Sequence, residues 1–395
     1  MKPARLMHVA AVVSMLLMVT TLLTGCWDSR EINDYYILTG TAMDVSDIPD
    51  QIHVTQQVAN IEREDSGSGE SGNAGGGDSV ILLNADSHSL LGSITEINRD
   101  SNHKLLFQHN QIRLFGIALA EQGVKKHLDL LMRDHQSRLE IPMAVVDGRA
   151  TEALEAKIPQ EPISGIYMAG MFEDQSQVSV KYRVRLIDFV HMLLDETAAP
   201  VMPIIKVTGE GDKQEIKMAG MAVFKGDKMI GRLTNDETLG YIWSFGNVQR
   251  CNFEVEDASS RAVLRITNLD CKREVTLRED GGVRVFLSIN SVLGVGELQG
   301  FKGMEPPELL KHLENLAQEE IKKTIIDCFM TAQNLNADIF GYCTMVYQKY
   351  PNQWNQMKNR WNEIFSNINF DVQVKVTIPA TGQIVQSLEM EENAE

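Results

Sequence analysis

Hydrophobic positions in the first half of the chain recur with both strand and helix periods. Alternation of apolar and polar residues predicts strands at Tyr36–Val45, Gln51–Ile61, Leu105–Ala118 and Ile141–Val146. Apolar residues three and four positions apart predict helices at Ser87–Asn98, Glu121–Asp134 and Thr151–Lys157. In the first of these helices we expect Leu90, Leu91, Ile94 and Ile97 to share the buried face.

Strands that alternate with helices indicate a mixed α/β N-terminal region over residues 35–207. Two further helical stretches, Pro162–Phe172 and Tyr182–Leu194, allow a subdivision of this region near residue 158.

The second half has the pattern of an antiparallel sheet with long helices. A hairpin, Met218–Phe224 and Met229–Leu233, is followed by strand patterns at Cys251–Val255, Ala262–Asn268, Arg273–Arg278 and Val283–Val292. Thr234 and Glu237 have capping-box spacing, Pro306 opens a long amphipathic helix, and a final strand covers Phe370–Ile378. The sequence therefore predicts a multidomain α+β protein. Its C-terminal domain, residues 215–379, is expected to be an antiparallel sheet packed with long helices.

A polar, glycine-rich segment interrupts the N-terminal region at residues 64–79. It has no apolar residue larger than alanine, so it cannot bury surface and we expect a disordered loop. Gly67, Gly69 and Gly72 match the G-x-G-x-x-G pattern of nucleotide-binding proteins. That site needs a helix after the motif, whereas more glycine follows here, so we interpret the match as coincidental. The acidic residues 380–395 are expected to be a disordered tail.

The N-terminus has the features of a lipoprotein signal peptide. Lys2 and Arg5 precede an uncharged, mostly apolar run of 15 residues, Val9–Leu23, which is short for a membrane span of about 20 residues. The run leads into Thr24-Gly25-Cys26, where small residues allow cleavage and the thiol can accept a diacylglyceryl group. We expect removal of residues 1–25, acyl chains such as palmitate on Cys26, and a tether at residues 26–34. The alternative is an uncleaved anchor helix with an incidental cysteine.

The net charge of the mature chain argues against nucleic acid and anionic lipid as binding partners. Loss of residues 1–25 removes Lys2 and Arg5 and no acidic residue, so the net charge changes from −17 to −19. Nucleic acid and anionic lipid both repel a body this acidic, so the lipid on Cys26 is the expected membrane attachment.

Four cysteines follow Cys26, namely Cys251, Cys271, Cys328 and Cys343. Export permits disulfide bonds, and four cysteines allow three pairings. No C-x-x-C spacing is present, which argues against a zinc ribbon or a thioredoxin-like site. A chain of this size does not need disulfides for stability, so free buried thiols are expected.

Residues that could carry catalysis are scattered along the chain. His103, His109, His127 and His135 are close in sequence, but no carboxylates accompany them at metal-binding spacing. Ser101 and Lys104 match the S-x-x-K pattern of serine acyl enzymes, yet the companion K-T-G motif is absent, as is G-x-S-x-G. The sequence predicts no catalytic, cofactor-binding or metal-binding residue, and therefore a protein that acts by binding.

Large side chains form a stripe near the C-terminus. Trp354, Met357, Trp361 and Phe365 are spaced to lie on one face of a helix. Such a stripe can bind a ligand or a partner, but tryptophans next to an alternating strand are more typical of a core. We therefore expect this stripe to be buried against the sheet that contains Phe370–Ile378.

Four stretches together resemble the spore germination receptor C-subunit lipoproteins, the Ger(x)C family. They occur in the family's order and span nearly the whole mature chain, at Gly25–Asp34, Gln108–Ala150, Gly220–Trp243 and Ala337–Trp361. The first reads GCWDSREIND and the last ADIFGYCTMVYQKYPNQWNQMKNRW. The glycine-rich segment at residues 64–79 is longer than expected for the family, which indicates an insertion.

The resemblance implies a germination protein anchored by lipid on the outer face of the spore inner membrane. It implies assembly with a membrane-spanning A subunit and a permease-like B subunit into a nutrient-germinant receptor. It implies no catalytic residue, and the family's lipid site corresponds to Cys26. Two other classes stay open: a solute-binding lipoprotein of a membrane transporter, which would have two similar lobes around a cleft, and a surface enzyme, which would gather reactive residues in a pocket.

Overall fold

The fold is known from a computed structural model, which describes most of the chain after residue 34. The described residues are 7–8, 10–15, 35–60, 79–101, 103–134, 137–173, 183–195, 198–246, 248 and 251–379. The predictions for Cys26, the tether, the glycine-rich segment before Ser79, His135 and residues 380–395 therefore lie outside the described residues.

The first sheet has a parallel centre and antiparallel edges. Its strands are β1 (Tyr35–Val45), β2 (Ile52–Ala59), β3 (Val80–Ser87), β4 (Lys104–Leu106), β5 (Ile112–Gly116), β6 (Pro142–Val146), β7 (Val184–Arg185), β8 (Val201–Thr208), β9 (Glu215–Lys225) and β10 (Lys228–Leu233). Their order is β10-β9-β8-β6-β5-β1-β2-β3, with β4 beside β1 and β7 beside β6. β1, β5, β6 and β8 run parallel, whereas β2 and β3 at one edge and β9 and β10 at the other pair antiparallel.

Helices cover both faces of this sheet. They are α1 (Leu90–Asp100), α2 (Ile117–Gln122), α3 (Lys125–Arg133), α4 (Ala150–Glu155), α5 (Ser164–Glu173) and α6 (Leu186–Leu194). One face of the sheet packs against α2, α3 and α6, and the other packs against α4 and α5. All residues of β5 and β6 are consequently buried, as expected for parallel strands between two helical layers. In α1, Leu90 and Ile97 are buried, but Leu91 is 56% exposed, so its predicted inward position is wrong.

The second sheet has the order β11-β12-β13-β14 and packs against one long helix. Its elements are α7 (Asn235–Trp243), β11 (Cys251–Asp257), β12 (Ser260–Leu277), β13 (Val283–Gln299), α8 (Pro306–Asn334), α9 (Tyr342–Lys349), α10 (Pro351–Met357), α11 (Trp361–Ser366) and β14 (Asn369–Thr377). Leu309, Leu313 and Ile321 of α8 lie in one core with the inward side chains of the sheet. The predicted α+β class, with a mixed α/β first part and a second sheet packed with helices, is confirmed.

The second sheet departs from the predicted pattern in two places. β14 pairs parallel to β13, not antiparallel, because the connection between them holds four helices and is long enough for a crossover. The predicted strands Ala262–Asn268 and Arg273–Arg278 are parts of the single strand β12. Its ladder with β13 continues through the expected turn, with a register shift between Ile266 and Asn268.

Two elements of the first part are divided more finely than predicted. The expected strand Leu105–Ala118 contains β4, a 3₁₀ turn at Phe107–His109, β5 and the start of α2. The expected helix Glu121–Asp134 is divided between α2 and α3 because Gly123, at φ 123°, adopts a backbone conformation that ends α2.

The two sheets share a hydrophobic core. The hairpin β9–β10 adds its strands to the first sheet beyond β8, although the predicted C-terminal domain begins at residue 215. Phe224 of this hairpin lies in the same buried cluster as Val285 of β13 and Phe329 of α8. A backbone hydrogen bond from Ala199 N to Asp338 O, 3.0 Å long, also joins the two parts. The division of the chain into domains stays a prediction.

Alanine in place of Gly116 is predicted to destabilise the protein, because Gly116 packs against Asp44 and the Asp44 carboxylate caps α4. The Asp44 carboxylate accepts hydrogen bonds from Ala150 N (2.7 Å), Thr151 N (2.9 Å) and Thr151 Oγ1 (2.8 Å). A Cβ on Gly116 would lie 2.1 Å from Asp44 Oδ1. Gly116→Ala should therefore lower the free energy of unfolding by about 2–4 kcal/mol, since it combines overpacking with the loss of a helix cap.

The matched control is Gly170→Ala in α5, where an added Cβ meets nothing within 4 Å. This change should leave stability equal or raised by up to about 1 kcal/mol, because alanine favours a helix over glycine. Urea unfolding of the two variants beside the parent protein measures the difference. Equal stability of Gly116→Ala and Gly170→Ala would contradict the packing described for Asp44.

Candidate functional site

The predicted lipid site, Cys26, lies nine residues before Tyr35, the first residue of β1. It is outside the described residues, so it stays a prediction. Within the described residues, no helix combines the length and the apolar character needed to cross a membrane.

Three histidines of the sequence cluster, His103, His109 and His127, lie within the described residues and belong to no metal-binding group there. His127 is buried on α3 and its Nε2 has no hydrogen-bond partner in the described part of the chain. The pKa of His127 is lowered to about 4, chiefly by burial and also by the charge of Lys126, while Asp227 acts in the opposite direction. The ring of His103 lies 4.8 Å from that of Tyr36, while His109 is exposed. In residues 35–379, as far as they are described, no three side chains form a metal-binding group.

The hydroxyl groups that resemble catalytic serines have local structural roles. Ser101 follows the last residue of α1, and its Oγ accepts a hydrogen bond from His103 N at 3.2 Å. A second arrangement, not noticed in the sequence, joins Ser46 Oγ to Asp86 Oδ1 at 2.6 Å and His53 Nδ1 to the same oxygen at 3.2 Å. Because the carboxylate lies between the serine and the histidine, the imidazole does not act on the hydroxyl, and nucleophile activation is excluded.

A small polar cavity lies between α1, α3 and the first sheet. Its volume is about 20 Å³, which is enough for one water molecule and too small for a nutrient. Gln56 accepts from Thr41 Oγ1 at 2.7 Å, and Thr41 Oγ1 accepts from Asn110 Nδ2 at 2.9 Å. Gln56 Nε2 and Arg113 Nε are buried at this cavity without partners among the described atoms.

Arg113 is a charged residue within the central strand β5. Its guanidinium donates to Arg138 O at 3.2 Å and to Ser137 Oγ at 2.7 Å. Burial lowers the pKa of Arg113 to about 10, while the nearby charge of Asp134 raises it. Arg113 therefore stays protonated at neutral pH and ties the loop after α3 to the sheet.

The tryptophan stripe is part of the core, as predicted. Trp354, Trp361 and Phe365 are buried and belong to the cluster shared by the two sheets. The stripe is divided among α10, a 3₁₀ turn at Lys358–Arg360 and α11, and Met357 is partly buried. The rings of Trp354 and Trp361 pack edge to face with centroids 5.3 Å apart. The stripe is therefore not an open surface for a ligand.

Asp338 holds this aromatic region together, and no sequence pattern indicated it. Its Oδ1 accepts from Tyr342 N at 3.1 Å, and its Oδ2 accepts from Cys343 N at 2.8 Å and from Trp361 Nε1 at 3.2 Å. Burial raises the pKa of Asp338, and the hydrogen bonds from Cys343, Tyr342 and Trp361 act against this rise. Asp338 lies four residues before Tyr342, the first residue of α9, and its burial is visible only in the fold.

Cys251, Cys271, Cys328 and Cys343 form no disulfide bonds, in agreement with the expectation from the sequence. Cys251, Cys328 and Cys343 are buried, and Cys271 is partly buried. Burial raises the pKa of Cys271 to about 11, and it raises the pKa of Cys328 as well. Thiols with raised pKa are poor nucleophiles and poor metal ligands at neutral pH, so Cys271 and Cys328 have the role of small apolar side chains.

An open groove lies beside β3. Its volume is about 620 Å³, within the range of ligand and peptide sites. Apolar side chains dominate its lining, together with the exposed side chains of Glu155 and Lys157. The lining residues are Ser79, Val80, Leu82, Leu154, Glu155, Ala156, Lys157, Ile158, Pro159 and Pro162. We call this feature the β3 groove.

The fold and these sites define a class: a two-sheet α+β protein with an open groove beside one edge strand and with buried aspartates that accept hydrogen bonds from the backbone. Two family profiles match the chain. They are "Spore germination protein N-terminal domain" over residues 28–207 and "Spore germination B3/ GerAC like, C-terminal" over residues 219–382. The chain belongs to the GerAC family of spore germination proteins, as its resemblance to the C subunits predicted, and it has a germination-related role.

Several relatives from Bacillus subtilis (strain 168) match over almost their whole length. Spore germination protein KC is 24% identical, with 93% of this chain and 95% of that protein covered. Spore germination protein YndF is 25% identical, with 95% and 97% covered, and spore germination protein B3 is 21% identical, with 96% and 100% covered. A crystal structure of the GerBC protein has the same fold, with a TM-score of 0.56 at 16% identity, and the match covers 86% of this chain and 97% of that one.

Proposed function

We propose that this chain is the lipid-anchored, non-catalytic C subunit of a nutrient-germinant receptor. The observation that carries the proposal is the match of both family domains, in order, in one chain whose predicted signal peptide, residues 1–25, ends just before Cys26. The subunit acts by binding. Its partners are a membrane-spanning A subunit and a permease-like B subunit, and its place is the outer face of the spore inner membrane.

The non-catalytic role is supported by how the reactive side chains are used. Asp44 and Asp338 accept hydrogen bonds from the backbone, Asp86 joins Ser46 to His53, and the described cysteines pack in the interior. Each of these groups already has a structural function. A chain of this kind contributes to a receptor through its surfaces, so its loss should remove an assembly rather than a reaction.

Cys26→Ala is expected to release the protein from the membrane fraction. A diacylglyceryl group stabilises membrane attachment by about 0.8 kcal/mol per buried methylene, and two acyl chains are needed for stable anchoring. Cys271→Ser is the matched control, because it removes a thiol that is remote in sequence from the signal peptide and should leave the protein in the membrane. Fractionation with metabolic labelling by a fatty acid measures both. A Cys26→Ala protein that remains membrane-bound and labelled would contradict the proposed anchor.

A further inference from the structure

The edge strands of the two sheets differ in how they are protected. β10 carries Lys228 and Arg232 and has a register shift between Met229 and Gly231. β11 carries Glu254 and Glu256 on exposed positions. Exposed charges and bulges are the usual features that keep an edge strand from pairing with another chain.

The edge strand β14 is protected by side chains of α8. Val376 N donates to Gln318 Oε1 at 3.4 Å, and Ile378 N donates to Glu314 Oε1 at 3.0 Å. These bonds occupy backbone N–H groups that point away from β13. β14 also carries Asp371 and Lys375. Three of the four edge strands in the described sheets, β10, β11 and β14, are therefore protected by charged side chains, a register shift or side-chain hydrogen bonds to the backbone.

The first half of β3 has none of these features. Val80, Ile81, Leu82 and Leu83 are aliphatic and only partly buried, and the first charge on the strand is Asp86. The hydrogen bond from Asn60 N to Ser79 O, 3.0 Å long, fixes the alternation of the β2–β3 ladder. By this alternation the backbone N–H and C=O groups of Val80 and Leu82 point outward from the sheet.

The β3 groove lies directly beside these outward backbone groups. Val80 and Leu82 line it on one side, and Leu154, Ile158 and Pro162 line it on the other. An extended peptide in this groove would pair with β3 through its backbone and place alternate side chains against the apolar lining. This is the geometry of recognition by strand addition.

The position of the groove along the chain restricts the partner that can reach it. Ile81 is level with Leu38 through Val58 of β2, so the start of β3 lies two strand spacings, about 10 Å, from Leu38, the fourth residue of β1. The nine residue steps from Cys26 to Tyr35 span at most about 30 Å. If Cys26 carries the lipid, the groove is held close to the membrane surface, within reach of a segment that emerges from the bilayer.

We propose that the β3 groove binds an extended, apolar segment of a membrane-embedded partner, which adds a strand to the edge of β3. This inference rests on the proposed function, because the lipid on Cys26 sets the distance to the membrane. A lipid surface is the less suitable occupant, since the net charge of −17 opposes anionic headgroups and lipid does not pair with backbone groups.

The test compares three variants of Val80 in the full-length, lipid-anchored protein. Val80→Pro removes an outward N–H at the first residue of the strand, where proline is tolerated, and Val80→Lys adds the charge that protects other edges. Val80→Thr keeps the branched shape and the N–H, and serves as the matched control. Copurification of the A and B subunits from spore membranes should fall on the order of tenfold or more for the first two variants. It should stay at the parent level for Val80→Thr.

A crosslinking experiment tests the same inference without the Val80 variants, so it does not depend on whether those variants fold. A photoreactive benzophenone amino acid at Lys157, an exposed residue of the groove, should crosslink to a membrane-spanning subunit. Crosslinks only to lipid, or undiminished copurification by Val80→Pro and Val80→Lys, would overturn the inference and leave the proposed function intact. If the parent protein itself copurifies with neither subunit, the proposed function fails, and the inference fails with it.

Discussion

Replacing Asp338 by alanine is expected to lower the free energy of unfolding by about 3–5 kcal/mol, because three buried N–H donors lose their acceptor together. The donors are Tyr342 N, Cys343 N and Trp361 Nε1. Asp338 is 3% exposed, so water does not replace the carboxylate without opening the core. The same segment accepts a hydrogen bond from Ala199 N, and we therefore expect the loss to weaken the contact between the two sheets.

A series of substitutions separates the contribution of these hydrogen bonds to the free energy of unfolding from the contribution of packing. Asp338→Asn keeps the size but turns an N–H group towards donors, so it should cost nearly as much as alanine. Trp361→Phe removes one donor and keeps most of the ring, with an expected cost of about 1–2 kcal/mol. Asp270→Ala, at an exposed position of β12, should change stability by less than about 0.5 kcal/mol. Urea unfolding measures all four, and an Asp338→Ala protein within 1 kcal/mol of the parent would contradict this account.

Local patterns in the sequence predicted the elements with a strong period of their own. The long amphipathic helix expected from Pro306 is present as α8, and its Leu309, Leu313, Ile321 and Ile325 are buried while Leu316 is partly buried. The capping box at the start of α7 is formed, with Glu237 N bonded to Thr234 Oγ1 at 3.2 Å and Thr234 N bonded to Glu237 Oε2 at 2.7 Å. Such features are decided by residues within one turn of each other, so they are readable without the fold.

Features that depend on distant partners were not predictable. The parallel pairing of β14 is decided by β13, about eighty residues earlier, and β12 continues through Asp270 because Asn290 of β13 lies opposite. The role of Asp338 depends on Trp361, which approaches only when α11 packs into the core. The β3 groove was hidden for the same reason, since Val80 and Ile158 lie in segments far apart in sequence.

The place of the candidate site was not predictable from the sequence. The sequence indicated a protein that acts by binding, and the tryptophan stripe was rightly assigned to the core because Phe370 and its alternating strand follow it. The proposed binding surface has no motif, because an open strand edge is defined by the absence of a neighbouring strand. Aliphatic residues such as Val80 and Leu82 have the same appearance in a core strand and in an edge strand.

The second large effect is expected in the spore. Deletion of the gene for this chain should leave spore formation normal and abolish most of the germination response to one class of nutrient. The A and B subunits should fall in amount, because a partner that binds only the folded complex stabilises it by mass action. Germination through a stimulus that bypasses the receptors should be unchanged. A Cys26→Ala form should restore the nutrient response incompletely, because the tether supplies a high effective concentration at the membrane.

The most direct measurement is nutrient-triggered germination of the deletion strain beside a strain complemented with the intact chain. Loss of optical density and release of dipicolinic acid report the response to each nutrient in turn. Deletion should reduce the germination response to at least one nutrient on the order of tenfold or more, and complementation should restore it. A normal response to every nutrient, in a strain without another C-type subunit, would contradict the proposed receptor function and favour a solute-binding lipoprotein instead.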